Sequence, residues 1–288
     1  GNVEDNYVTN TRGWVVCGDS NMTFTGNEFG TNAVDIAIIP NNNTINNYGT
    51  TPEEIIAISE SNNGAYVENQ LSKISAKNGQ LYNTVGITSG ETIEYFSIIK
   101  DAIDAAEEGG NRIEVYPGDY GTEYIDIIQR EGVNITLEAV GEVVLKNQIR
   151  ISGAGRWYGE ETLTIKGFTF DFTDATEAVD IISATKKLLD DTNNYAHNIT
   201  IENNVFKGNP EVDVVAIRTN GVFGLEIKSS QGIGLHSLGQ IQGQSKYFRV
   251  IDTTVEGGES GINYYGPADV EITGLTVDAA DYGIRAGQ

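Results

Sequence analysis

The sequence predicts an all-β chain, folded as a single-stranded, right-handed parallel β-helix with a short capping α-helix near residues 97–108. Three observations support this fold class. An amphipathic helical pattern is followed directly by short strands, the strands recur in units of 20 to 27 residues, and 34 glycines against 5 prolines suit frequent tight turns. Units of this length cannot fold alone, so we expect them to stack and bury one continuous core.

The predicted capping helix lies in the segment FSIIKDAIDAAEEGG, which starts at Phe96. Its apolar residues recur at the i, i+3, i+4 and i+7 spacing of one helical face and are Ile99, Ala102, Ile103 and Ala106. Ser97 is placed to accept a hydrogen bond from a first-turn N–H group. The pair Gly109-Gly110 suits the left-handed turn that ends a helix, so we expect the strands to begin after it.

The C-terminal half contains the repeat that decides the fold class. Its apolar strands align at steps of 24 (199 to 223), 27 (223 to 250) and 20 (250 to 270) residues, and a Gly-Ile pair recurs at 232–233, 261–262 and 283–284. A β-sandwich would require hairpins and would show no such beat, and the fixed leucine pattern of leucine-rich repeats is missing. The sequence therefore favours parallel stacking of equivalent strands.

Asparagines at the predicted turns give a second sign of stacked coils. Side-chain amides at equivalent turns of successive coils can form a ladder of hydrogen bonds. The alternative is that each asparagine satisfies its own turn. The candidates are Asn6, Asn10, Asn27, Asn203 and Asn204.

Two segments resemble a known superfamily. The helix pattern is followed by Val115-Tyr116-Pro117-Gly118-Asp119-Tyr120 and two short strands, and HNITIENNVF runs from His197 to Phe206. Both resemble the pectin-lyase-like superfamily, the first its entry turn and the second its later coils. The resemblance covers residues 96–288 and implies a right-handed β-helix, with activity left open because one fold hosts many functions.

The order of the segments predicts an unusual domain organisation. Residues 1–49 read like C-terminal coils of a β-helix that stand out of order, since Val3 placed after Gln288 would lie 21 residues beyond Val270. They come from a preceding module of a tandem array, which we favour, or pack as in a circular permutant. Residues 50–92 form a linker with short helices, one starting at Thr51-Pro52 and one over 66–74. Residues 93–288 form the β-helix domain with its capping helix.

Charge and composition narrow the partners. The chain has 18 Lys and Arg against 41 Asp and Glu, a net charge of −23, so we expect it to bind no nucleic acid. Polyanionic glycans are repelled as well, unless calcium or a local basic patch intervenes. No apolar run is long enough to span a membrane, and the single Cys17 cannot form an internal disulfide. A secreted or cell-surface location fits this composition.

Catalytic signatures of the resembled superfamily are incomplete. The resemblance to polygalacturonases would imply the motifs N-x-D, D-D, G-H-G and R-x-K. Of these, only the pair Asp190-Asp191 and a partial match to G-H-G at His236 are present. Three residues remain as candidates for a base and a carboxylate on neighbouring coils, with an exposed ion pair as the alternative: Arg218, Glu226 and Lys228. We therefore expect no catalytic residue.

Two further sets of side chains are candidates for binding. Trp157, Tyr158, Tyr264 and Tyr265 fall in predicted loops or turns, where exposed aromatic faces stack on sugar rings. Packing over loop cores is the alternative for these aromatics. No cofactor is expected to be required, and Ca²⁺ is the one candidate ion because carboxylate oxygens are its ligands. Its candidate ligands are Asp252, Asp278 and Asp281.

Together these observations predict a non-catalytic module of a secreted or cell-surface protein. Its expected role is adhesion or structural display, with a polysaccharide or host-cell-surface glycan and neighbouring β-helix modules as partners. The alternative is a polysaccharide lyase or glycoside hydrolase, including the tailspike-like depolymerases of phage. A passive spacer without a ligand is the third interpretation.

Overall fold

The computed structural model describes residues 2–9, 13–17, 23–39, 49–153, 159–185, 195–243, 245–266, 268–279 and 281–287. The chain is an all-β, right-handed parallel β-solenoid, as predicted, with two short helices in the described part. It divides into two compact units, one built mainly from residues 1–86 and the other mainly from residues 119–288. No helix among the described residues has the length and apolarity needed to cross a membrane.

The first unit begins with two stacked coils. Each coil has three short strands, and every strand of the first coil pairs in parallel with its equivalent in the second. The strands of the first coil are β1 (Asn2–Glu4), β2 (Tyr7–Val8) and β3 (Trp14–Cys17). Those of the second coil are β4 (Thr23–Thr25), β5 (Glu28–Phe29) and β6 (Ile36–Ile39).

A helix and an antiparallel meander complete the first unit. Helix α1 (Pro52–Ser61) starts where the Thr51-Pro52 pattern predicts, and Thr51 and Glu54 form a reciprocal capping box. The meander consists of β7 (Val67–Asn69), β8 (Ile74–Lys77) and β9 (Gln80–Leu81). The next two strands, β10 (Val85–Ser89) and β11 (Thr92–Phe96), belong to a different, nine-stranded sheet. The helix predicted over 66–74 is wrong, because these residues form β7 and the turn into β8, which pair as antiparallel neighbours.

Each coil of the second unit runs through three parallel sheets in turn. Sheet 1 contains, in spatial order, β11, β10, β12 (Gly109–Val115), β14 (Val133–Ala139), β17 (Leu163–Lys166), β20 (Ala196–Glu202), β23 (Val222–Lys228), β26 (Lys246–Ile251) and β29 (Ala268–Thr273). Sheet 2 contains β15 (Val144–Leu145), β18 (Thr169–Phe172), β21 (Val205–Gly208), β24 (Gln231–Ile233), β27 (Thr254–Glu256) and β30 (Thr276–Asp278). Sheet 3 contains β13 (Ile125–Ile128), β16 (Ile149–Ser152), β19 (Val179–Thr185), β22 (Val214–Asn220), β25 (Ser237–Gln242), β28 (Ser260–Tyr265) and β31 (Tyr282–Gly287).

The register of sheet 1 corrects the predicted repeat. Ile199 pairs with Leu225, Leu225 with Phe248 and Phe248 with Val270, which gives steps of 26, 23 and 22 residues. The sequence alignment was two residues out at two strands, and a shift of two keeps the same side chains facing inward. The Gly-Ile beat is also uneven, because Gly232-Ile233 lies in sheet 2 whereas the other two pairs lie in sheet 3.

A two-residue corner recurs in both units and joins the first strand of a coil to the second. Its first residue has a left-handed backbone, for example Asp5 (φ 55°), Asn203 (φ 54°) and Asp252 (φ 46°). Its second residue is buried in most coils, as for Asn27 and Asn204. The conformation suits Gly, Asn and Asp, which explains why these residue types are common here.

Asparagine side chains connect successive corners in the first unit. The Asn6 N–H donates to Asn27 Oδ1 at 3.0 Å, and Asn27 Nδ2 donates to the Val3 carbonyl and to Asn62 Oδ1, each at 2.8 Å. Asn62 Nδ2 donates to the Phe24 carbonyl at 3.1 Å. The ladder predicted for Asn6 and Asn27 is confirmed, and Asn62, which follows α1, extends it.

In the second unit the same corner holds one amide and then hydroxyls. Asn204 Oδ1 accepts from the Phe168 N–H, and its Nδ2 donates to the Ile165 carbonyl, both at 2.9 Å. One coil further on, Ser230 Oγ accepts from the Asn204 N–H. Asn203 is the left-handed residue of its corner, and Asn10 lies outside the described residues.

The interior of the second unit consists of apolar columns that follow the register. One column in sheet 1 is fully buried over six successive strands and contains Ile113, Leu137, Ile165, Ile201, Ile227 and Val250. In sheet 2, Phe170 and Phe206 stack with centroids 5.1 Å apart and planes 6° from parallel. Side chains aligned at each coil step explain the apolar beat of the sequence.

Helix α2 (Ile99–Asp104) lies within the predicted range 97–108 but is shorter at both ends. All four residues of the predicted apolar stripe are buried. The prediction that Gly109-Gly110 ends the helix is wrong, since both belong to β12. The helix ends earlier because the Arg130 guanidinium donates to the carbonyls of Ile103, Asp104 and Ala106, at 2.8 to 3.1 Å.

The predicted domain boundaries at residues 49 and 92 and the modular origin of residues 1–49 stay predictions.

Candidate functional site

A row of polar side chains on sheet 3 is the best candidate for a functional surface. Neighbouring strands place one residue each at the same register position, so the row repeats at the strand spacing of roughly 4.8 Å. We call it the sheet 3 row, and it contains Arg150, Ser183, Arg218, Gln240, Asn263 and Arg285. Asn263 is buried, whereas the other five are at least partly exposed. Guanidinium and amide groups dominate it, which supply planar hydrogen-bond donors and acceptors.

At the start of the row, Arg150 is held in a fixed orientation. It forms a bidentate pair with Asp126, with Nε to Oδ1 at 2.6 Å and Nη2 to Oδ2 at 2.7 Å. Its guanidinium carbon lies 4.0 Å from the ring centroid of Tyr124, a side chain that is 47% exposed. An ordered guanidinium beside an exposed ring combines a hydrogen-bonding edge with an apolar face.

Arg218 lies at the centre of the row. Its Nε donates to Asp180 Oδ1 at 2.7 Å, and its Nη1 donates to Gln240 Oε1. Because β22 belongs to sheet 3 whereas Glu226 and Lys228 lie on β23 of sheet 1, the structure places Arg218 on a different sheet from these two residues. A catalytic role for this trio stays a prediction.

Glu226 and Lys228 are part of an ion-pair ladder on sheet 1. Lys228 Nζ lies 3.4 Å from Glu202 and 3.6 Å from Glu226, and Arg249 lies 3.2 Å from Glu271. All these side chains are about one quarter to two thirds exposed. Ion pairs of this kind contribute roughly 0–1 kcal/mol each to the free energy of unfolding. The contacts of Glu226 and Lys228 are therefore those of a solvent-exposed ion-pair ladder.

The two candidate tyrosines of β28 occupy different positions. Tyr264 pairs in register with the fully buried Ile241, so it holds an inward position. Tyr265 is adjacent to the sheet 3 row, and the Arg285 guanidinium lies 6.0 Å from its ring centroid and 5.3 Å from that of Tyr282. Tyr265 is therefore the predicted sugar-binding tyrosine that lies on the same sheet face as the row. Trp157 and Tyr158 lie outside the described residues.

The candidate calcium ligands lie on three separate elements. Asp252 is the left-handed residue of a corner, Asp278 is the last residue of β30, and Asp281 precedes β31. In the described part of the chain, no group of three or more His, Cys, Asp or Glu side chains is arranged to hold a metal ion. Calcium binding stays a prediction.

His236, which in the sequence only partly matches a G-H-G motif, is part of a charged cluster in the structure. Its Nδ1 lies 2.7 Å from Asp213 Oδ1 and 3.0 Å from Glu259 Oε2. The three side chains come from successive coils and are 24%, 54% and 47% exposed. Two acceptors at Nδ1 place the proton of a neutral ring on that nitrogen, which leaves Nε2 as the basic atom.

A second histidine belongs to the interior. His197 Nε2 lies 2.9 Å from Glu161 Oε2, and Gln129 bonds the His197 backbone at both its N–H and its carbonyl. The hydrogen bond from the Gly132 N–H lowers the pKa of Glu161 to about 2, against the opposing effect of burial. The pair is buried, so its contacts indicate a structural role.

Comparisons with known proteins give a remote structural likeness and no family match. No known protein family matches it, and no curated protein does. Among solved structures, it is similar to that of the Streptococcus pneumoniae surface protein and adhesin PfbA, with 12% identity and a TM-score of 0.26 over 100% of this chain and 92% of that one. A likeness this remote carries no argument about activity or partners.

Most of the row is not evident from the sequence. Arg150, Gln240 and Arg285 were missed because they become neighbours only through the register, and turns of variable length hide that register. The signal was present at a fixed distance, since each of the three directly follows or precedes an inward residue of its strand. Aligning the inward residues first would have found them.

Proposed function

We propose that this chain is a non-catalytic module of a secreted or cell-surface protein that binds an extended polysaccharide along the sheet 3 row. The ordered guanidinium and amide groups of the row donate to and accept from sugar hydroxyls. Tyr124 and Tyr265 offer ring faces for the apolar faces of sugars. The pectin-lyase-like resemblance of residues 96–288 is consistent with this role and remains part of the proposal.

The contacts within the row support this proposal most directly. The row places one polar group on each of six successive strands, and three of these groups are ordered by their contacts: Arg150 is held by Asp126, and Arg218 by Asp180 and Gln240. Side chains ordered before binding lose little entropy when a ligand arrives. A periodic, ordered surface suits a polymer with repeating hydroxyls better than it suits a compact ligand.

The test measures binding to a panel of neutral and acidic polysaccharides, with and without calcium. The variant Arg150→Ala removes a row residue, and Arg249→Ala on sheet 1 is its matched control, with side-chain exposures of 50% and 54%. Both arginines pair with a carboxylate, so both variants change the net charge equally. We expect Arg150→Ala to weaken binding about tenfold or more and Arg249→Ala to leave it unchanged.

Equal weakening by both variants would contradict the assignment to sheet 3 and indicate a nonspecific charge effect. Retained binding in Tyr265→Ala would remove that ring from the site. If no polysaccharide binds and none is cleaved, the chain is a spacer.

The His236 cluster supports a second candidate function, a polysaccharide lyase or glycoside hydrolase, including a tailspike-like depolymerase. A histidine whose Nδ1 is held by carboxylates can act as a general base through Nε2. The same panel tests this, with new reducing ends and unsaturated-uronate absorbance as readouts. Product formation that His236→Ala abolishes would replace the binding proposal.

Calcium remains a proposed ligand of Asp252, Asp278 and Asp281. Addition of Ca²⁺ and then of a chelator should raise and lower the melting temperature if the ion binds the folded state. An unchanged melting temperature in both arms would exclude a stabilising calcium site.

A further inference from the structure

We propose that the polysaccharide bound along the sheet 3 row is uncharged, and that two arginine–aspartate pairs in the row select it against polymers that carry carboxylates. Because the row is the proposed polysaccharide site, this inference rests on the proposed function and adds the chemical class of the ligand. It concerns the part of the row that we call the paired segment, which contains Arg150, Ser183, Arg218 and Gln240.

Each arginine of the paired segment already has a carboxylate partner. Arg150 donates from Nε and Nη2 to the two oxygens of Asp126, at 2.6 and 2.7 Å. Arg218 donates from Nε to Asp180 Oδ1 at 2.7 Å and from Nη1 to Gln240 Oε1. A guanidinium binds an anion best through two parallel hydrogen bonds, and in both arginines the edge at Nε is already engaged. An anionic sugar would therefore lie beside an aspartate that is bound to the same guanidinium.

The groups that remain at each pair match a hydroxyl. A guanidinium has five N–H donors, and the bonds to Asp126 use two of those of Arg150. A carboxylate accepts up to about four hydrogen bonds, and the Asp126 side chain is 38% exposed. A sugar hydroxyl both donates and accepts, so it can bond the aspartate and the arginine of one pair together. A sugar carboxylate only accepts, and it would place a second negative charge beside the aspartate.

The other two members of the paired segment carry no charge. Ser183 has a hydroxyl, and Gln240 has an amide whose oxygen accepts from Arg218 and whose Nε2 carries two N–H donors. Two arginines against two aspartates make the segment neutral as a whole. It therefore supplies no local positive field to offset the net charge of −23 on the chain, which repels polyanions.

The third arginine of the row has different neighbours. The Arg285 guanidinium lies 6.0 Å from the ring centroid of Tyr265 and 5.3 Å from that of Tyr282. It is three strands away from Arg218 in sheet 3, a distance of roughly 14 Å at the usual strand spacing. One cation at that distance does not change the balance of charge on the paired segment.

An uncharged ligand predicts a specific response to salt. A neutral polymer has no charge to be screened, so its affinity should be the same at about 0.01 M and about 1 M salt. An acidic polymer would be repelled at the lower concentration, where the Debye length is about 30 Å, and would bind better at the higher one, where it is about 3 Å. Affinity that falls as salt is added would indicate an ion-pair interface and would overturn the inference.

The test measures binding of the 1–288 chain to matched pairs of polysaccharides by titration calorimetry. Each acidic polymer is compared with its carboxyl-reduced form, and each neutral polymer with its carboxymethylated form. A chelator is present throughout, so that calcium cannot bridge two carboxylates. We expect the uncharged member of a pair to bind about tenfold or more tightly than the charged one.

The outcomes separate this inference from the proposed function. Equal or tighter binding of the charged member would overturn the inference, whereas the proposed function would stand if Arg150→Ala still weakened that binding. Absence of binding by every polymer of the panel would overturn both.

Two variants test whether the ion pair causes the selectivity. Asp126→Asn keeps the size of the side chain and one acceptor oxygen but leaves Arg150 as an uncompensated cation, so the preference for the uncharged member should fall about tenfold. Glu271→Gln on sheet 1 is the matched control, because it changes the net charge equally and removes the carboxylate 3.2 Å from Arg249. The control should keep the preference of the parent chain. An equal fall in both variants, or no fall in Asp126→Asn, would overturn the role of the pair, and unchanged circular dichroism confirms that both variants fold.

Discussion

The two units use the same two-residue corner but stabilise it differently. In the first unit, amides of Asn6, Asn27 and Asn62 bond one another from coil to coil. In the second unit, Asn204 is followed by Ser230, and the aromatic stack of Phe170 and Phe206 fills the adjacent interior. A chain of buried amides is stable only if every member is hydrogen-bonded. In an apolar interior, a truncation lowers the free energy of unfolding in proportion to the volume of the cavity that it leaves. One backbone geometry can therefore be stabilised by two kinds of interior.

The largest effect should come from the aromatic interior of the second unit. Phe206→Ala removes a fully buried ring and should lower the free energy of unfolding by about 4 kcal/mol. The counterpart Phe24→Ala in the first unit should lower it by about 3 kcal/mol, since Phe24 already lines an open cavity of about 390 Å³. Denaturant unfolding by circular dichroism measures both, and equal losses would contradict the difference between the interiors.

For the polar corner residues, the larger loss of stability should occur in the first unit. Asn27→Ala leaves several buried groups without partners and should cost about 3 kcal/mol, against about 2 kcal/mol for Asn204→Ala and about 1 kcal/mol for Ser230→Ala. Trp14 fluorescence in a Trp157→Phe background reports the first unit separately, because the chain has 2 tryptophans. A larger loss for Asn204→Ala than for Asn27→Ala would contradict the greater dependence of the first unit on its amide ladder.

Acid should act on the second unit through Glu161. Its pKa in the folded state, about 2, lies below the ordinary value of 4.5, so the unfolded state binds more protons between these values. The stabilisation is complete above about pH 4.5 and is lost as the pH falls toward 2. Glu161→Gln should flatten the dependence of unfolding free energy on pH in this window. If other carboxylates were responsible, the slope of unfolding free energy against pH would be the same in the Glu161→Gln variant as in the parent chain.

The smallest effect concerns α1 in the first unit. Thr51→Ala removes the side chain that accepts from the Glu54 N–H and should cost about 1 kcal/mol. Thr51→Ser keeps the hydroxyl and serves as the control. The loss should appear in the Trp14 signal, and an equal loss for the serine variant would indicate a role of the methyl group instead.

The sequence predicted features that depend on local pattern. The parallel coils, the stripe of Ile99 and Ala102, and the ladder of Asn6 and Asn27 all follow from spacing along the chain. Register was predicted less well, because Phe223 and Leu225 are both buried, so the apolar pattern alone does not show which of them pairs with Ile199. The segment 66–74 was misread because its apolar residues suit either a helix or a hairpin, and antiparallel pairing decided between them.

The candidate site was less predictable than the fold. Arg218 and Tyr265 were identified as residue types, but their sheet depends on where each coil turns. The row joins Arg150 to Arg285 over 135 residues of sequence, a relation that only the stacked register creates. Local spacing cannot contain such information, since turn lengths differ from coil to coil.

The constant corner restricts where this fold can change by insertion. Two residues separate the first and second strands at seven coil corners across both units, whereas ten separate β16 from β17 and one separates β22 from β23. One added residue at the corner would reverse the faces of the following strand, but length between sheets 3 and 1 already varies freely. Three to six residues separate the strands of sheet 2 from those of sheet 3 that follow them, so that connection varies as well. New loops, whether acquired in evolution or grafted as epitopes, can therefore be added on either side of sheet 3 but not at the corner.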